Sequence, residues 1–309
     1  MIDRLYSKAQ TMKKNGKSAW KYVYKINKLI VNIAYPIAQL FNKRYGLDDN
    51  SDVVVSLTTY PARIKTVWIT IASLLNQSYK PRKVILYLAK EQFEDGHNGL
   101  PKRLIALEKR GLDIRFVDGD LKPHKKYYYA LQDYPQMRVI TADDDIFYPE
   151  NHIANLVAGA NRFPDSVICG RSHRITVDNA TNDFKPYNTW KEELKEEPDI
   201  MTIPIGCNGV LYKRSFFDDE LFNVGKINKF TLYTDDLWLK TMEVKSGTPV
   251  FNCIDEPLIY FDNIFNGNTG LWHTNTDDSA ENRNDRVWSI LMDAYPEVKE
   301  KLIRNEGIL

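Results

Sequence analysis

Three consecutive aspartates, Asp143, Asp144 and Asp145, follow a short β-prone run that begins at Val139. A strand that ends in acids and stops at Pro149 places negative charge at its carboxyl end, where open α/β sheets bind their ligands. In an extended backbone Asp143 and Asp145 point to the same face. Two convergent carboxylates are the hard oxygen ligands that hold Mg²⁺ or Mn²⁺ against nucleotide phosphates, with water completing the shell. The pattern predicts such a site, and a solvated acidic turn is the alternative.

A second acidic pair, Asp235 and Asp236, opens a predicted helix after Thr234. Acids are favourable there because the amino end of a helix carries partial positive charge, so a simple helix cap is the alternative to a chemical role. Between the two acidic clusters, residues 203–212 form a glycine-punctuated turn that enters a strand.

Alternating strand and helix patterns must position these acids. Apolar, β-branched runs predict strands, and apolar residues at helical spacing predict helices between them. This alternation predicts an α/β fold with a mostly parallel sheet and helices on both faces. The predicted strands are 53–59, 84–88, 114–117, 166–169 and 250–254, and the predicted helices are 64–77, 104–110, 127–131, 151–161, 234–240 and 286–294. Residues 176–197 are polar and predict a long loop or lid.

The amino-terminal residues are electrostatically distinct from the rest of the chain. Residues 1–45 carry ten Lys or Arg and one acid, a net charge of +9, whereas the remainder carries 32 basic and 40 acidic residues, a net charge of −8. Within residues 18–41, apolar side chains from Trp20 to Ile37 recur at helical spacing beside a row of lysines. We therefore expect residues 1–48 to form a basic amphipathic helical appendage and residues 49–309 a catalytic domain.

Two functions remain open for that helix. It either packs on the body with a solvated lysine face or docks on an anionic membrane surface. The longest apolar stretch, residues 29–41, is too short to span a bilayer, and no secretory signal pattern is present. Three widely spaced cysteines argue against a disulfide framework and a zinc ribbon, which favours a cytoplasmic location. The acidic body argues against nucleic-acid binding.

Four segments together resemble the GT-A glycosyltransferases and, in the order of their motifs, the large inverting family two. They are residues 56–78, the Asp143 to Asp145 cluster in the position of the DxD motif, the pair Asp235 and Asp236, and His273 downstream. The resemblance covers roughly residues 53–294. It implies a Rossmann-like GT-A fold, Mn²⁺ or Mg²⁺ as cofactor and a nucleoside-diphosphate sugar donor. It also implies an inverting transfer to a saccharide or lipid-linked acceptor, which fits surface polysaccharide synthesis at the inner face of a membrane.

The resemblance assigns roles to individual residues. Asp236 corresponds to the catalytic base, although Asp235 stands where Glu is usual in the family. The implied metal ligands are Asp143, Asp145 and His273. The implied donor-binding residues are Thr58, Tyr60, Arg63, Asp118, Lys126, Asp143 and Asp144, with Lys125 an equal alternative to Lys126. The implied acceptor-side residues are Gly206, Asn208, Gly209 and Asp235, although a tight turn with positive φ also explains the glycines.

Two other functions compete with this one. A nucleotidyltransferase acting on sugar phosphates would share the α/β nucleotide-binding half, but its glycine-rich loop with Arg or Lys is absent from residues 58–61. A non-catalytic carbohydrate-binding protein of the same fold would not need Asp143, Asp145 and Asp236 together.

Overall fold

Seven strands form one sheet in the computed structural model, which describes residues 1–41, 46–178, 180–266 and 282–306. The strands of the described residues are β1 (Val53–Thr58), β2 (Lys83–Ala89), β3 (Leu112–Val117), β4 (Arg138–Ala142), β5 (Val167–Cys169), β6 (Ser172–Arg174), β7 (Val177–Asp178), β8 (Asp183–Phe184), β9 (Thr202–Pro204), β10 (Val210–Lys213) and β11 (Val250–Asn252). The order in the large sheet is β11-β5-β10-β4-β1-β2-β3. Two further pairs, β6 with β9 and β7 with β8, are antiparallel.

The large sheet is parallel except at one strand. In β1, Val55 lies opposite Val84 of β2 and Ile140 of β4, and both pairings are parallel. Only β10 runs against its two neighbours, β4 and β5. The predicted α/β fold with a mostly parallel, Rossmann-like sheet is therefore confirmed. Because β1 and β4 are parallel neighbours, the residues that follow Thr58 and Ala142 emerge at the same edge of the sheet.

Helices cover both faces of this sheet. They are α1 (Ile2–Lys14), α2 (Trp20–Phe41), α3 (Val67–Leu75), α4 (Lys102–Ile105), α5 (Lys125–Asp133), α6 (His152–Arg162), α7 (Val224–Lys226), α8 (Asp235–Ser246) and two C-terminal helices, Arg283–Ala294 and Pro296–Glu306. Along β1, Val53, Val55 and Leu57 enter one core, and Val54 enters the other. The first core includes residues of α1, α2, α3 and α6, and the second includes residues of α5, α8 and the C-terminal helices. Strands buried on both faces explain the continuous apolar runs of the sequence.

The helices α1 and α2 pack on residues 258–264 of the body. The Tyr6 hydroxyl donates to the Leu258 carbonyl and accepts from the Leu258 amide, both at 3.0 Å. The Asn32 side chain donates to the Asp262 carbonyl at 2.9 Å and accepts from the Ile264 amide at 3.0 Å. Within the described chain, no helix is both long enough and apolar enough to cross a membrane.

Three segments differ from the sequence-based expectations. Within the expected helical appendage 1–48 the sequence indicated a helix only from residue 18, but residues 2–14 form a separate helix, α1, which buries Ile2, Tyr6 and Ala9. The expected loop at 176–197 contains the β7–β8 hairpin, and its Trp190 is buried against Trp288 with ring centroids 5.3 Å apart. The helix Pro296–Glu306 was not anticipated, because it buries only Val298 and Leu302 among mostly charged residues.

The buried His124 predicts a pH dependence of stability. Its ring nitrogens contact the Tyr127 hydroxyl and the Thr231 carbonyl, both at 2.8 Å, and burial lowers its pKa from 6.5 to about 4. Because the folded pKa is depressed, the stabilisation is complete above the ordinary pKa and is lost as the pH falls toward the folded value. We expect His124 to account for a loss of about 2 kcal/mol in the free energy of unfolding between about pH 8 and pH 5. Urea unfolding of the wild type and of His124→Gln measures this loss, and parallel pH curves for the two would contradict it.

Candidate active site

The Asp143 to Asp145 cluster lies in a turn at the carboxyl edge of the sheet. The strand β4 ends at Ala142, so Asp143 to Asp145 are not extended. Asp143 pairs with Lys126, whereas Asp144 and Asp145 pair with Arg63. The extended backbone from which the sequence predicted a shared face for Asp143 and Asp145 is therefore absent, because the strand ends before the acids.

Asp144 is a buried organiser of the cluster. One carboxylate oxygen lies 2.5 Å from Arg63 Nη1, and the other accepts from the Thr59 hydroxyl at 2.5 Å. The Thr70 hydroxyl donates to the Asp144 carbonyl at 3.0 Å. The same Arg63 nitrogen lies 3.0 Å from Asp145 Oδ2. Burial raises the pKa of Asp144, and the Arg63 guanidinium opposes this shift. Asp144 thus fixes Arg63 after β1, where the sequence predicted a nucleotide contact.

Lys126 joins the two acidic clusters. Its buried ammonium lies 2.8 Å from Asp143 Oδ1 and 2.9 Å from Asp235 Oδ2. Burial acts to lower the Lys126 pKa, but the surrounding carboxylates outweigh it and raise the pKa well above its ordinary value. The neighbouring Lys125 pairs with Asp120 instead. Of the two lysines that the sequence left open, the structure therefore brings Lys126 to the cluster.

Asp236 lies in the first turn of α8 and is half-buried. Its Oδ2 accepts from the Gly206 amide at 3.4 Å. Burial and the charge of Asp235 raise the Asp236 pKa to about 8, against the opposing effect of Lys126. Asp235 differs, because the Lys126 ammonium outweighs the effect of burial and lowers its pKa. Asp235 is thus held as an ion-pair partner of Lys126, whereas Asp236 can exchange a proton near neutral pH.

Gly206, Asn208 and Gly209 of the glycine turn have different environments. A Cβ on Gly206 would lie 3.1 Å from Asp236 Oδ1 and 3.3 Å from Lys126 Nζ, so this position is small because the charged groups crowd it. Gly209 has φ +76°, and a Cβ there would lie 2.4 Å from the His152 ring, so its conformation and packing both require glycine. Asn208 is buried and donates to the Gly170 and Leu258 carbonyls at 3.3 and 2.7 Å.

The remaining predicted donor-binding residues lie at the same edge with different partners. The Thr58 hydroxyl donates to the Tyr87 carbonyl at 2.8 Å, and the Tyr60 ring centroid lies 5.7 Å from the Arg63 guanidinium. Asp118 follows β3, and its side chain is 85% exposed and paired with Lys90 at 2.8 Å, so the structure does not bring it to the acidic cluster. His273 falls outside the described residues.

Sequence reasoning did not single out Tyr148. Its ring is fully buried, its hydroxyl accepts from the Asp143 amide at 2.8 Å, and it donates to the Cys207 carbonyl at 3.5 Å. Tyr148 thus links the acidic turn to the glycine turn. Its position immediately before Pro149, at the end of the acidic motif, was the available signal.

No protein-family model matches the chain, and no curated protein matches it in sequence. Solved structures with a similar fold include a mannosyltransferase from Pyrobaculum calidifontis in complex with GDP-Man and Mn²⁺, at 12% identity and a TM-score of 0.45, over 91% of this chain and 84% of that one. Staphylococcus aureus TarS (residues 1–349) matches at 12% identity and a TM-score of 0.40, over 79% and 70% of the two chains. A 4-diphosphocytidyl-2C-methyl-D-erythritol synthase from Anaerococcus prevotii matches at 13% identity and a TM-score of 0.40, over 69% and 92%. Likenesses of this size do not identify a reaction or a substrate.

The charge balance of the site suits a divalent cation. In the part of the chain that the structure describes, the carboxylates of Asp143, Asp144, Asp145 and Asp235 form ion pairs with two cations, Arg63 and Lys126, and Asp236 lies beside Asp235. The side chains of Asp143 and Asp145 remain 31% and 24% exposed. Burial, to which the charges of Asp144 and Asp143 add, raises the Asp145 pKa to about 7. No three His, Cys, Asp or Glu side chains of the described chain are grouped as a complete metal site. Asp143 and Asp145 therefore fit a metal whose other ligands are phosphate and water oxygens.

Proposed function

We propose that the chain is a metal-dependent glycosyltransferase that uses a nucleoside-diphosphate sugar and inverts the anomeric carbon. The observation that carries this proposal is the half-buried Asp236, whose pKa is about 8, beside Gly206 together with Lys126, which pairs with the partly exposed Asp143 and with Asp235. The proposed proton acceptor, Asp236, and the proposed cation ligand, Asp143, thus both lie beside the turn at Gly206. Sugar transfer from a nucleotide donor requires both functions, in adjacent positions.

On the donor side, Asp143 and Asp145 would hold Mn²⁺ or Mg²⁺. A bound cation would supply Lewis-acid neutralisation of the diphosphate leaving group. Arg63, fixed by Asp144, would contact the base or a phosphate of the donor, because a guanidinium both stacks and donates paired hydrogen bonds. Lys126 would face the diphosphate from the side of Asp143.

On the acceptor side, Asp236 would remove the proton of the attacking hydroxyl. Because Gly206 adds no side chain to the charged groups beside Asp236 Oδ1, an acceptor hydroxyl would approach the carboxylate at this turn. We propose a saccharide or lipid-linked acceptor and a role in surface polysaccharide synthesis, at the cytoplasmic face of the cell membrane. The nucleotidyltransferase alternative is less favoured, because no glycine lies between the end of β1 at Thr58 and Arg63.

A thermal-stability screen of nucleotide sugars tests the proposed function. At a hundredfold excess over Kd, a specific donor stabilises the folded chain by about 2.7 kcal/mol, or roughly 5 °C in Tm, because it binds only the folded state. We expect this shift with Mn²⁺ or Mg²⁺ and its loss with a chelator or in Asp145→Ala. The proposal would be overturned if no nucleoside diphosphate and no nucleotide sugar raised the Tm in the presence of either metal.

Replacing Gly206 with Ala tests the crowding around the base. The new Cβ would lie 3.1 Å from Asp236 Oδ1 and would displace that carboxylate or Lys126 by a few tenths of an ångström. We expect about a tenfold fall in kcat with donor affinity nearly unchanged. The matched control is Gly46→Ala, because a Cβ at Gly46 has no neighbour within 4 Å. Equal kcat values for the two variants would contradict the assignment.

A further inference from the structure

The outward side of α2 is apolar. The sequence predicted a single apolar stripe from Trp20 to Ile37, but the structure divides it between two sides of the helix. Trp20, Val23 and Tyr24 pack against the first core of the body. We define the α2 apolar face as the large side chains of this helix that point away from the body, which are Tyr22 (73% exposed), Ile26 (59%), Leu29 (52%), Ile30 (43%), Ile33 (55%), Ile37 (56%) and Phe41 (79%).

Three further apolar side chains extend this face onto the body. Ile259, Ile264 and Phe265 are 42%, 40% and 64% exposed. They lie beside α2, because the Tyr24 hydroxyl donates to the Ile259 carbonyl at 2.9 Å and the Ile264 amide donates to Asn32. A contiguous exposed apolar surface of this kind indicates an interaction site, whereas isolated exposed apolar residues do not.

Basic side chains border the α2 apolar face along one side and near the start of the helix. Lys21 and Lys25 are exposed and one helical turn apart, so they form a row beside it. A depression of about 590 Å³ next to the start of α2 is lined by Arg4, Ser7, Lys8, Thr11, Met12 and Lys17. In the described part of the chain, no acidic side chain lies within ion-pair distance of Lys21, Lys25 or these three basic residues, whereas Lys13 and Lys28 pair with acids of the body.

We infer that the α2 apolar face docks on an anionic lipid bilayer, with α2 lying in the interface. An apolar helix face bordered by unpaired cations matches the acyl boundary and the anionic headgroups of such a surface. A second copy of this chain is a poorer partner. Residues 1–45 carry ten basic residues against Asp3, so two copies would bring like charges together.

The same body segment connects this face to the candidate active site. The Asn263 amide donates to the Asp145 carbonyl at 2.7 Å, and the Phe147 amide donates to the Phe261 carbonyl at 2.8 Å. A docked bilayer would thus lie one chain segment from the acidic cluster. Use of a lipid-linked acceptor follows from this position and rests on the proposed function, whereas bilayer binding itself does not.

Vesicle sedimentation with the full chain tests the inference. We expect binding to vesicles of phosphatidylcholine with phosphatidylglycerol, weaker binding to phosphatidylcholine alone, and a decline as salt rises. Ile26→Gln with Ile33→Gln should weaken binding by about tenfold or more, and Lys21→Glu with Lys25→Glu should weaken it by a similar factor. All four side chains are exposed, so the variants should fold normally.

The matched controls place the same changes elsewhere on the surface. Leu194→Gln with Ile290→Gln removes two apolar side chains that are 41% and 39% exposed, and Lys102→Glu with Lys109→Glu reverses two exposed charges. Equal losses in the α2 variants and their controls, or equal binding to both vesicle types, would overturn the inference. The inference would also be overturned if the protein formed a dimer without lipid and the double variant Ile26→Gln with Ile33→Gln dissociated that dimer. Donor-induced thermal stabilisation should be unchanged in all four variants, which separates failure here from failure of the proposed function.

Discussion

Asp236→Asn should lower turnover by about a hundredfold or more, with donor affinity nearly unchanged. Asn keeps the size and much of the polarity of Asp, but it cannot accept the proton of the attacking hydroxyl. The Gly206 amide contact at 3.4 Å can be kept by the Asn carbonyl, so the loss should fall on kcat rather than on folding. If Asp236 served only the first turn of α8, the rate would be nearly unchanged. Steady-state kinetics with donor and acceptor varied separately distinguish these outcomes.

The pH profile gives a second readout of the same residue. A general base acts in its ionised form, so kcat/KM of the free enzyme should rise with pH through about 8, the pKa of Asp236. This rise should disappear in Asp236→Asn. The exposed Asp293→Asn is a matched control that should keep both rate and profile. A product that retains the donor's anomeric configuration by NMR would exclude a single displacement with Asp236 as base.

The sheet could be predicted from the sequence because its strands carry strong local signals. The strand β1 was expected at residues 53–59 and is found at Val53–Thr58. Five of its six residues are buried and the sixth is half-buried, and its apolar side chains face both cores. The edge at which Asp143 emerges followed from the parallel order alone. The partners of these residues depend on tertiary packing and could not be predicted. Lys125 and Lys126 are adjacent in sequence, yet one pairs with Asp120 and the other with Asp143.

The amino-terminal helices show a second limit. A helical pattern in α2 identified an apolar helix, but it could not show which of its apolar residues meet the body. The helix is apolar on two sides, so only the contacts of Tyr24 and Asn32 with residues 259–264 reveal that Ile26 and Ile33 point outward. Whether residues 1–48 act as an appendage that brings the enzyme to a membrane stays a prediction for the vesicle experiment.

Asp145→Ala should remove metal-dependent transfer, with a fall of about a thousandfold in kcat/KM and little change in stability. Asp145 is partly exposed, and its Arg63 partner remains held by Asp144 when the Asp145 carboxylate is removed. Removing this acid also relieves repulsion within the cluster, since burial and the Asp144 charge together raise the Asp145 pKa to about 7. Donor binding measured against Mn²⁺ and Mg²⁺ concentration, together with urea unfolding, separates the two effects.

Asp144→Ala provides the matched contrast at the neighbouring position. Asp144 is buried and holds Arg63 and the Thr59 hydroxyl, each at 2.5 Å, so its removal leaves the guanidinium without its main partner. We expect a destabilisation of about 3–5 kcal/mol, the usual cost of breaking a buried ion pair from one side. The two variants should therefore behave differently. Loss of the proposed metal ligand Asp145 should reduce activity without unfolding the protein, whereas loss of the organising residue Asp144 should reduce both stability and activity. Full activity of Asp145→Ala in the presence of a chelator, or equal destabilisation by the two variants, would show that the turn is structural and that the cation site lies elsewhere.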